Sequence, residues 1–367
     1  MSKIYLQNLQ KKYGNVTALE DLTLQINDKE LIVLLGPSGC GKTTALNCIA
    51  GIEEPTLGRI YFDDKDVTDI PPHIRNVAMV FQSALLYPHL TARENIRMSL
   101  RIFSKRSKEE IESRVVEVAG LLGINPLLDK SPFQMSGGER QRVAIAKAIV
   151  RNPSVFLMDE PLSSLDAARR EAIRIEIVVL QQKLANTMVF VTHDQVEAMT
   201  LGDRIAVMEA GKLQQVGTPD EIYNNPINTF VGGFVGSPPM NFFKGVLKKN
   251  MDEYIFEHPR FHVKLSKEIV KNMKKTLKEN LVTLGVRPQH MSLYKTQKED
   301  ALKGKIYGVE RLGKETVGIV QYEDENRFKV IVDPSFKLSI GDIVYALPQT
   351  EQAFFFNSST KMNLMLE

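Results

Sequence analysis

The stretch "ELIVLLGPSGCGKTTALNCIAGI", Glu30 to Ile52, decides how this chain is to be read. Its apolar run, Leu31 to Leu35, has the length of a buried strand, and the residues after Lys42 continue as a helix. Between them Gly36, Gly41, Lys42 and Thr43 fill the pattern G-x-x-x-x-G-K-[ST]. Gly36, Gly39 and Gly41 allow backbone conformations that turn successive N–H groups toward phosphate oxygens. Lys42 meets the β- and γ-phosphates of a nucleoside triphosphate, and the Thr43 hydroxyl goes to Mg²⁺. Ser38, Cys40 and Thr44 belong to the same cradle. A glycine-rich structural turn is the bland alternative, but the flanks match the phosphate-binding reading as well as the letters do.

Working outward, "SVFLMDEP" is an apolar strand ending in two acids. Asp159 is expected to hold Mg²⁺ through its water shell. Glu160, at the edge of the phosphate site, is expected to orient and deprotonate the attacking water; a helix-capping pair is the alternative. "MVFVTHD" repeats the arrangement and puts His193 at a strand end, where its imidazole can contact the γ-phosphate. A lone histidine is more often structural, so the location carries this reading. Gln82 in "MVFQS" is a neutral candidate for a Mg²⁺ or water contact, and Lys42, Gln82, Glu160 and His193 form the expected catalytic set.

A second glycine turn lies in "MSGGERQRVAIAKAIV", Met135 to Val150. Opening a long helix, it presents free N–H groups and about half a positive charge to an anion. Its own nucleotide is already cradled by the first loop. Ser136, Gly137 and Gly138 are therefore expected to cap the γ-phosphate of ATP bound to a second copy of the chain. Cys40, near a helix N-terminus and beside Lys42, is expected to favour its thiolate and react with maleimides.

The 367 residues exceed what one core normally organises and suggest two domains. With 47 basic and 44 acidic residues, a net charge of +3 is too balanced to argue for nucleic acid. The beginning "MSKIYLQNLQ" lacks an apolar leader, and the longest apolar runs fall far short of the roughly 20 residues that span a bilayer. Cys40 and Cys48 are the only two cysteines, too few for a disulfide framework, and suit a reducing cytoplasm.

Strands alternate with helices up to about Val235, which predicts an α/β domain over 1–235 with a mostly parallel sheet. Within it, about 83–130, charged sequence with Ile111, Val115, Val118 and Leu122 at helical spacing predicts an inserted helical subdomain. Over 236–367, short alternating runs such as "FKGVLKK", "EYIFEH" and "FKVIVD" predict a small β-barrel domain. The lysine-rich "KEIVKNMKKTLKEN" reads as a solvated face rather than a binding patch.

"GPSGCGKTT", Gln82, "MSGGE", "FLMDE", "SSLD" and His193, in this order, resemble the ATP-binding cassette (ABC) transporter ATPases over the whole first domain. The resemblance implies a P-loop NTPase fold, a homodimer that sandwiches two ATP, and a signature turn acting in trans. It also implies that Tyr13 stacks on adenine, a contact worth about 1–3 kcal/mol per base, and that Asp166 lies in the loop at the dimer seam. A tyrosine packing at a strand end is the alternative for Tyr13. The family's usual signature is LSGGQ, from which Met135 and Glu139 depart.

A narrower resemblance rests on "LLYPHLTARENI", "VTHDQVEAMTLGDRIAVMEAGKLQQVGTPDEIYNNPINTFVGGFVGSPPMNFF" and "GVRPQH". These look like the ATPase subunit of maltose-type carbohydrate importers, with Gln289 in place of the common Glu. That resemblance implies a regulatory, oligonucleotide-binding-like β domain that binds no nucleic acid. It implies two integral membrane permease subunits, an extracytoplasmic solute-binding protein acting indirectly, and a place at the cytoplasmic face of the membrane. ATP-driven closure would pull on permease helices received by the helical subdomain and the segment "SALLYPHL". Importers of polyamines, glycerol-phosphate or iron share much of this pattern. A soluble ABC ATPase working on DNA or ribosomes would show coiled-coil insertions or basic tails, and a P-loop kinase leaves "MSGGE" and His193 without a task.

Overall fold

A computed structural model describes residues 2–103, 107–163, 165–250, 253–273 and 280–366. Ser164 of the "SSLD" run and 274–279 of the lysine-rich stretch lie outside the described residues. The chain divides into two compact units, Met1–Pro219 and Asp220–Glu367.

The first unit opens with strands β1 (Ile4–Tyr13), β2 (Val16–Ile26) and β3 (Leu31–Leu35), then helix α1 (Lys42–Ala50). Strands β4 (Leu57–Phe62), β5 (Lys65–Asp66) and β6 (Val77–Val80) follow. Helices α2 (Ala92–Phe103), α3 (Lys108–Leu121) and α4 (Gly137–Ile149) come next. Then come β7 (Val155–Asp159), α5 (Ala167–Leu184), β8 (Thr187–Thr192), α6 (Gln195–Leu201), β9 (Arg204–Glu209) and β10 (Lys212–Gly217).

Six of these strands form one sheet in the order β10-β9-β3-β8-β7-β6. All neighbours in it are parallel except β10 on β9. Such a sheet is covered on both faces, which is why β3 and the Met188–Val191 centre of β8 read as unbroken apolar runs and both strands are buried throughout. The predicted alternation of strands and helices misses a second sheet, β2-β1-β4-β5, which is antiparallel. Helix α1 packs between the two: Leu46 and Ile49 share a core with Leu6 and Leu22 of the antiparallel sheet and with Leu34 and Leu157 of the parallel one. Each such fully buried side chain contributes about 1.5–3 kcal/mol, so the helix that follows the glycine loop is clamped from both sides.

The helical reading of 107–124 holds. Ile111, Val115 and Val118 are buried on α3, Leu122 is buried at its end, and Ser107 and Glu110 close a capping box at its start. Helix α3 packs beside α2 and α4.

In the second unit, helices α7 (Pro219–Asn224), which begins at the junction, and α8 (Thr229–Phe234) precede strands β11 (Asn241–Asn250), β12 (Glu253–His258) and β13 (Phe261–Leu265). After α9 (Lys267–Asn272) come β14 (Leu281–Val286), β15 (Met291–Tyr294), β16 (Leu302–Arg311), β17 (Thr316–Gln321), β18 (Arg327–Val332), β19 (Ile343–Pro348) and β20 (Phe354–Asn357). Two five-stranded sheets, β13-β12-β11-β14-β20 and β15-β19-β16-β17-β18, share one core. Phe256 and Leu284 reach it from the first sheet, Val320 and Val344 from the second.

Residues 220–235, expected with the first domain, pack with this β unit. The reason is Arg287 of "GVRPQH", which is 1% exposed. Its guanidinium donates to the carbonyls of Gly232 and Val235 at the end of α8 and to that of Tyr223 in α7, and lies 3.9 Å from the Tyr223 ring centre. One cation thus satisfies the orphan carbonyls of two short helices.

Candidate nucleotide site

The loop between β3 and α1 has the shape its glycines permit. A Cβ at Gly36 would lie 2.3 Å from the Met208 carbonyl oxygen. At Gly41, φ is +101° and a Cβ would lie 2.4 Å from the Ala18 carbonyl oxygen. No other residue fits at either place without moving backbone. Ser38 and Gly39 are exposed at the loop tip. Lys42 is buried, and its ammonium donates to the carbonyls of Gly36 at 2.8 Å and Pro37 at 2.9 Å, which aims it into the loop.

The strand ends converge on this loop. Thr43 Oγ1 donates to Asp159 Oδ1 at 2.9 Å, joining the start of α1 to the end of β7. Burial holds the Asp159 carboxyl above its ordinary value, against the lowering effect of the Thr43 bond. A hard cation fits this pair: the donors are oxygens only, and the half-buried carboxylate gains from a neighbouring positive charge. Mg²⁺ is usually held by one or two carboxylates plus substrate phosphates rather than by a protein cage. No cluster of three or more His, Cys, Asp or Glu able to hold a metal occurs among the described residues.

Glu160 sits next along the chain at φ +45°, a strained conformation for a non-glycine residue. It is held there by its N–H on Val191 O at 3.0 Å and by the Ser163 hydroxyl, which donates to its carbonyl at 2.9 Å. His193 Nδ1 lies 3.1 Å from Glu160 Oε1. The acid and the imidazole read separately from the sequence are therefore one pair.

Behind His193 stands a network the sequence reading missed. Thr192 Oγ1 donates to the buried Glu197 at 2.6 Å, and Asp194 caps α6 through Val196 and Glu197 N–H groups. Arg170 of α5 donates to Asp194 Oδ2 at 3.3 Å and to Leu165 O at 3.1 Å. The polar run "THDQVE" was the available signal, since a Thr and a Glu five apart in sequence meet across the turn that carries His193.

At the other glycine turn, Ser136 caps α4. Its hydroxyl accepts from Glu139 N–H at 3.3 Å, and Glu139 Oε2 accepts from Ser136 N–H at 2.6 Å. Met135 is buried beside it, 4% exposed. A Cβ at Gly137 would find nothing closer than 3.8 Å, and one at Gly138 nothing closer than 3.6 Å. Nothing among the described residues requires glycine at these two positions. No hydrogen bond joins Ser136, Gly137, Gly138, Gln82 or Asp166 to the Lys42–Asp159–Glu160 cluster among the described residues. Gln82 is exposed after β6, and Asp166 caps α5 through Arg169 N–H at 3.1 Å. Tyr13 ends β1, 45% exposed, with Lys11 Nζ 4.9 Å from its ring centre.

Three family models match the chain: ABC transporter over residues 19–163, MalK OB fold domain over 236–291 and TOBE domain over 284–356. The trehalose/maltose import ATP-binding protein MalK of Thermococcus litoralis is 47% identical over 331 residues, 86% of this chain and 87% of its own. The chain belongs to the ABC transporter ATP-binding proteins. The oligosaccharides import ATP-binding protein MsmX of Bacillus subtilis, another such protein, is 41% identical over 372 residues, 99% of this chain and 100% of its own. The sn-glycerol-3-phosphate import ATP-binding protein UgpC of Ruegeria pomeroyi is 43% identical over 361 residues, 98% of either chain. A dimeric ATP-binding cassette, MJ0796, in a post-hydrolysis state bound to ADP and Pi, superimposes with a TM-score of 0.54 at 34% identity, covering 59% of this chain and 98% of that one. The expected fold is thereby met in both units, and the activity of this ABC protein is ATP hydrolysis coupled to transport.

Within the ABC pattern, the Glu139 departure has a local explanation. Bonds from the Ser136 backbone, and then from its hydroxyl, hold the Glu139 carboxyl below its ordinary value. Its charge is used in the capping box.

The expectation for Cys40 fails. Its thiol is 3% exposed, and burial pushes it up despite Lys42 Nζ at 3.8 Å. Cys48 is pushed up to about 11 by burial. Both cysteines are free, so the absence of a disulfide stands and the reactive thiolate does not.

Proposed function

We propose that this ABC protein is the ATP-hydrolysing subunit of a carbohydrate importer. In this reading two copies sandwich two ATP and drive two integral membrane permease subunits from the cytoplasmic face, while an extracytoplasmic solute-binding protein feeds the permease. The observation that carries it is the joining of Lys42, Thr43 and Asp159 at one loop with the Glu160–His193 pair beside them. Carbohydrate is favoured because a relative named for trehalose and maltose import shares 47% identity over 86% of this chain. No helix among the described residues is long and apolar enough to cross a membrane, which accords with a peripheral subunit.

The residues then divide the work. Lys42 and the N–H groups of Gly36 to Thr44 bind the phosphates, and Tyr13 stacks on the base. Thr43, Asp159 and Gln82 would hold Mg²⁺, which would supply positive charge against the phosphates. Glu160 keeps one oxygen on His193, and its other takes the proton of the attacking water. Ser136, Gly137 and Gly138 of the second copy cap the γ-phosphate. Two uncompensated glycines at a helix start, each costing about 1 kcal/mol relative to Ala in a helix, make sense where an outside group needs the backbone. Asp166 stands at the seam between copies. A groove of about 550 Å³, lined in part by Met79, Phe81, Leu85, Tyr87 and Lys147, suits an amphipathic permease helix.

The test uses the full chain. Glu160→Gln should stop turnover and retain ATP through a desalting column, whereas Lys42→Ala should bind none. Adding Ser136→Arg to Glu160→Gln should release the retained ATP within the column while leaving initial binding intact. Loss of initial binding in that double variant means that the turn serves its own chain's nucleotide, and the in-trans assignment fails. The carbohydrate assignment is read by growth of a deletion strain, which should fail on one or more sugars and not on glycerol-phosphate.

A further inference from the structure

Phe133 is the most exposed large apolar side chain among the described residues, at 84%. It is not on a loose loop. It is the middle residue of a 3-10 turn, Pro132–Gln134, closed by Ser131 N–H on Gln134 Oε1 at 2.9 Å and flanked by the buried Pro132 and Met135. The backbone is pinned on both sides while the ring stands in solvent. An exposed ring by itself is ordinary; here its backbone is fixed, and its place in the chain gives it a candidate cover.

Two further observations name the cover. Phe133 lies three residues before Ser136, a span of at most about 10 Å, so it is continuous with the turn proposed to cap a partner's γ-phosphate. Elsewhere on the same chain, Tyr13 and Val16, register partners in the β1–β2 hairpin, are 45% and 66% exposed, and Ala18 of the same strand β2 abuts Gly41 of the phosphate loop. One chain therefore carries an uncovered aromatic near its lid and an uncovered aromatic and aliphatic pair near its cradle. A two-fold axis that sets lid on cradle sets one on the other, twice.

We propose that Phe133 of each copy closes over the base end of the nucleotide held by the other, covering the adenine on Tyr13 and the exposed Val16 beside it. Each ATP is then gripped at both ends by both chains: the phosphates by the Lys42 loop and the Ser136 turn, the base by Tyr13 and Phe133. The ring buries apolar surface only in the closed dimer, so it biases closure without strengthening ATP binding to a single chain. This rests on the in-trans reading above.

The chain contains no tryptophan, so Phe133→Trp installs a single reporter at the site in question. In full-length Glu160→Gln carrying Phe133→Trp, ATP should shift the emission to the blue and ADP should not. Adding Ser136→Arg should abolish the shift. Separately, Phe133→Ala in Glu160→Gln should shorten ATP retention by about tenfold, the scale of one lost base stack, with initial ATP affinity changed less than about twofold. The proposal is overturned if the tryptophan emission is the same with ATP and ADP while Glu160→Gln still retains ATP. It is equally overturned if the emission responds to membranes carrying the permease but not to nucleotide, which would make a permease the occupant. If ATP retention by Glu160→Gln is indifferent to Ser136→Arg, the in-trans reading itself has failed, and that arm separates the two failures.

Discussion

The two glycine turns of this chain carry similar letters and answer to different demands. At the first, a Cβ on Gly36 or Gly41 would collide with the chain's own carbonyls at 2.3 and 2.4 Å, and Gly41 adds a φ of +101°. At the second, Gly137 and Gly138 have ordinary room, 3.8 and 3.6 Å from their nearest neighbours, in helical backbone. The first loop is glycine-rich because the fold is built around it. At the second, nothing among the described residues asks for glycine, and the proposed capping of a partner's γ-phosphate would account for it. A motif read from sequence cannot make that distinction; a Cβ placed on the backbone can.

The largest effect expected from this contrast is in paired alanine variants. Gly41→Ala should cost about 3 kcal/mol or more, combining left-handed strain with a clash that neighbouring backbone must absorb. Its ATP binding should vanish with the loop geometry. Gly138→Ala should leave the melting temperature unchanged or slightly raised, within about 1 kcal/mol by helix propensity, and still bind ATP in a single chain. Combined with Glu160→Gln, it should fail to retain ATP through a desalting column. Equal losses of thermal stability in the two variants would erase the distinction.

A smaller effect is expected at Asp159, which belongs to the first site alone. Burial raises its pKa, so its ionised form is penalised in the folded chain. The sign follows: relative to an Asn, the Asp loses stability as pH rises through its raised folded-state value and regains it below the ordinary carboxylate value. Asp159→Asn can still accept the Thr43 hydrogen bond. Without nucleotide it should therefore melt at or slightly above the parent at neutral pH, the gain kept within about 1 kcal/mol by solvent screening of a half-exposed group. The gain should disappear in acid. With Mg-ATP the order should reverse, because the parent alone gains from the cation. A parent that melts higher at neutral pH without ligand would show that burial does not govern this carboxylate.

The same contrast explains what the sequence could and could not disclose. That Thr43 meets Asp159 and Glu160 meets His193 was legible because all four follow continuous apolar strands closely in the chain, where their order alone brings them to one edge of the sheet. The antiparallel sheet was not: β1 and β2 merge with the alternation of an α/β domain unless their mutual register is known. Nor was the Arg170 network, whose members come from the end of β8, the cap and first turn of α6, and α5 with the residue leading into it. The Cys40 thiol was misread because the helix dipole and Lys42 are visible in sequence while 3% exposure is not. Residues 220–235 were assigned to the first domain by their position, yet the cation that fastens them, Arg287, lies 52 residues beyond Val235 and 64 beyond Tyr223. Sequence discloses chemistry held by neighbours in the chain and hides what distant segments do to it.

The smallest effect separates the structural from the functional part of the second turn. Glu139 closes a capping box with Ser136, and Gln can close the same box through its side-chain oxygen. Glu139→Gln should therefore alter thermal stability by no more than a few tenths of a kcal/mol, about what the lost carboxylate near a helix N-terminus is worth. The change also removes a negative charge from the lip of a turn that, in the in-trans reading, receives a partner's γ-phosphate. Repulsion over such distances is screened by salt with a decay length of about 8 Å. In the Glu160→Gln background at low ionic strength, Glu139→Gln should lengthen ATP retention a few-fold, and the advantage should shrink as salt is added. A gain that persists at high salt has some origin other than charge. A loss of retention would mean that the carboxylate does more than cap its own helix, and the separation drawn here between the two turns would have to be redrawn at that residue.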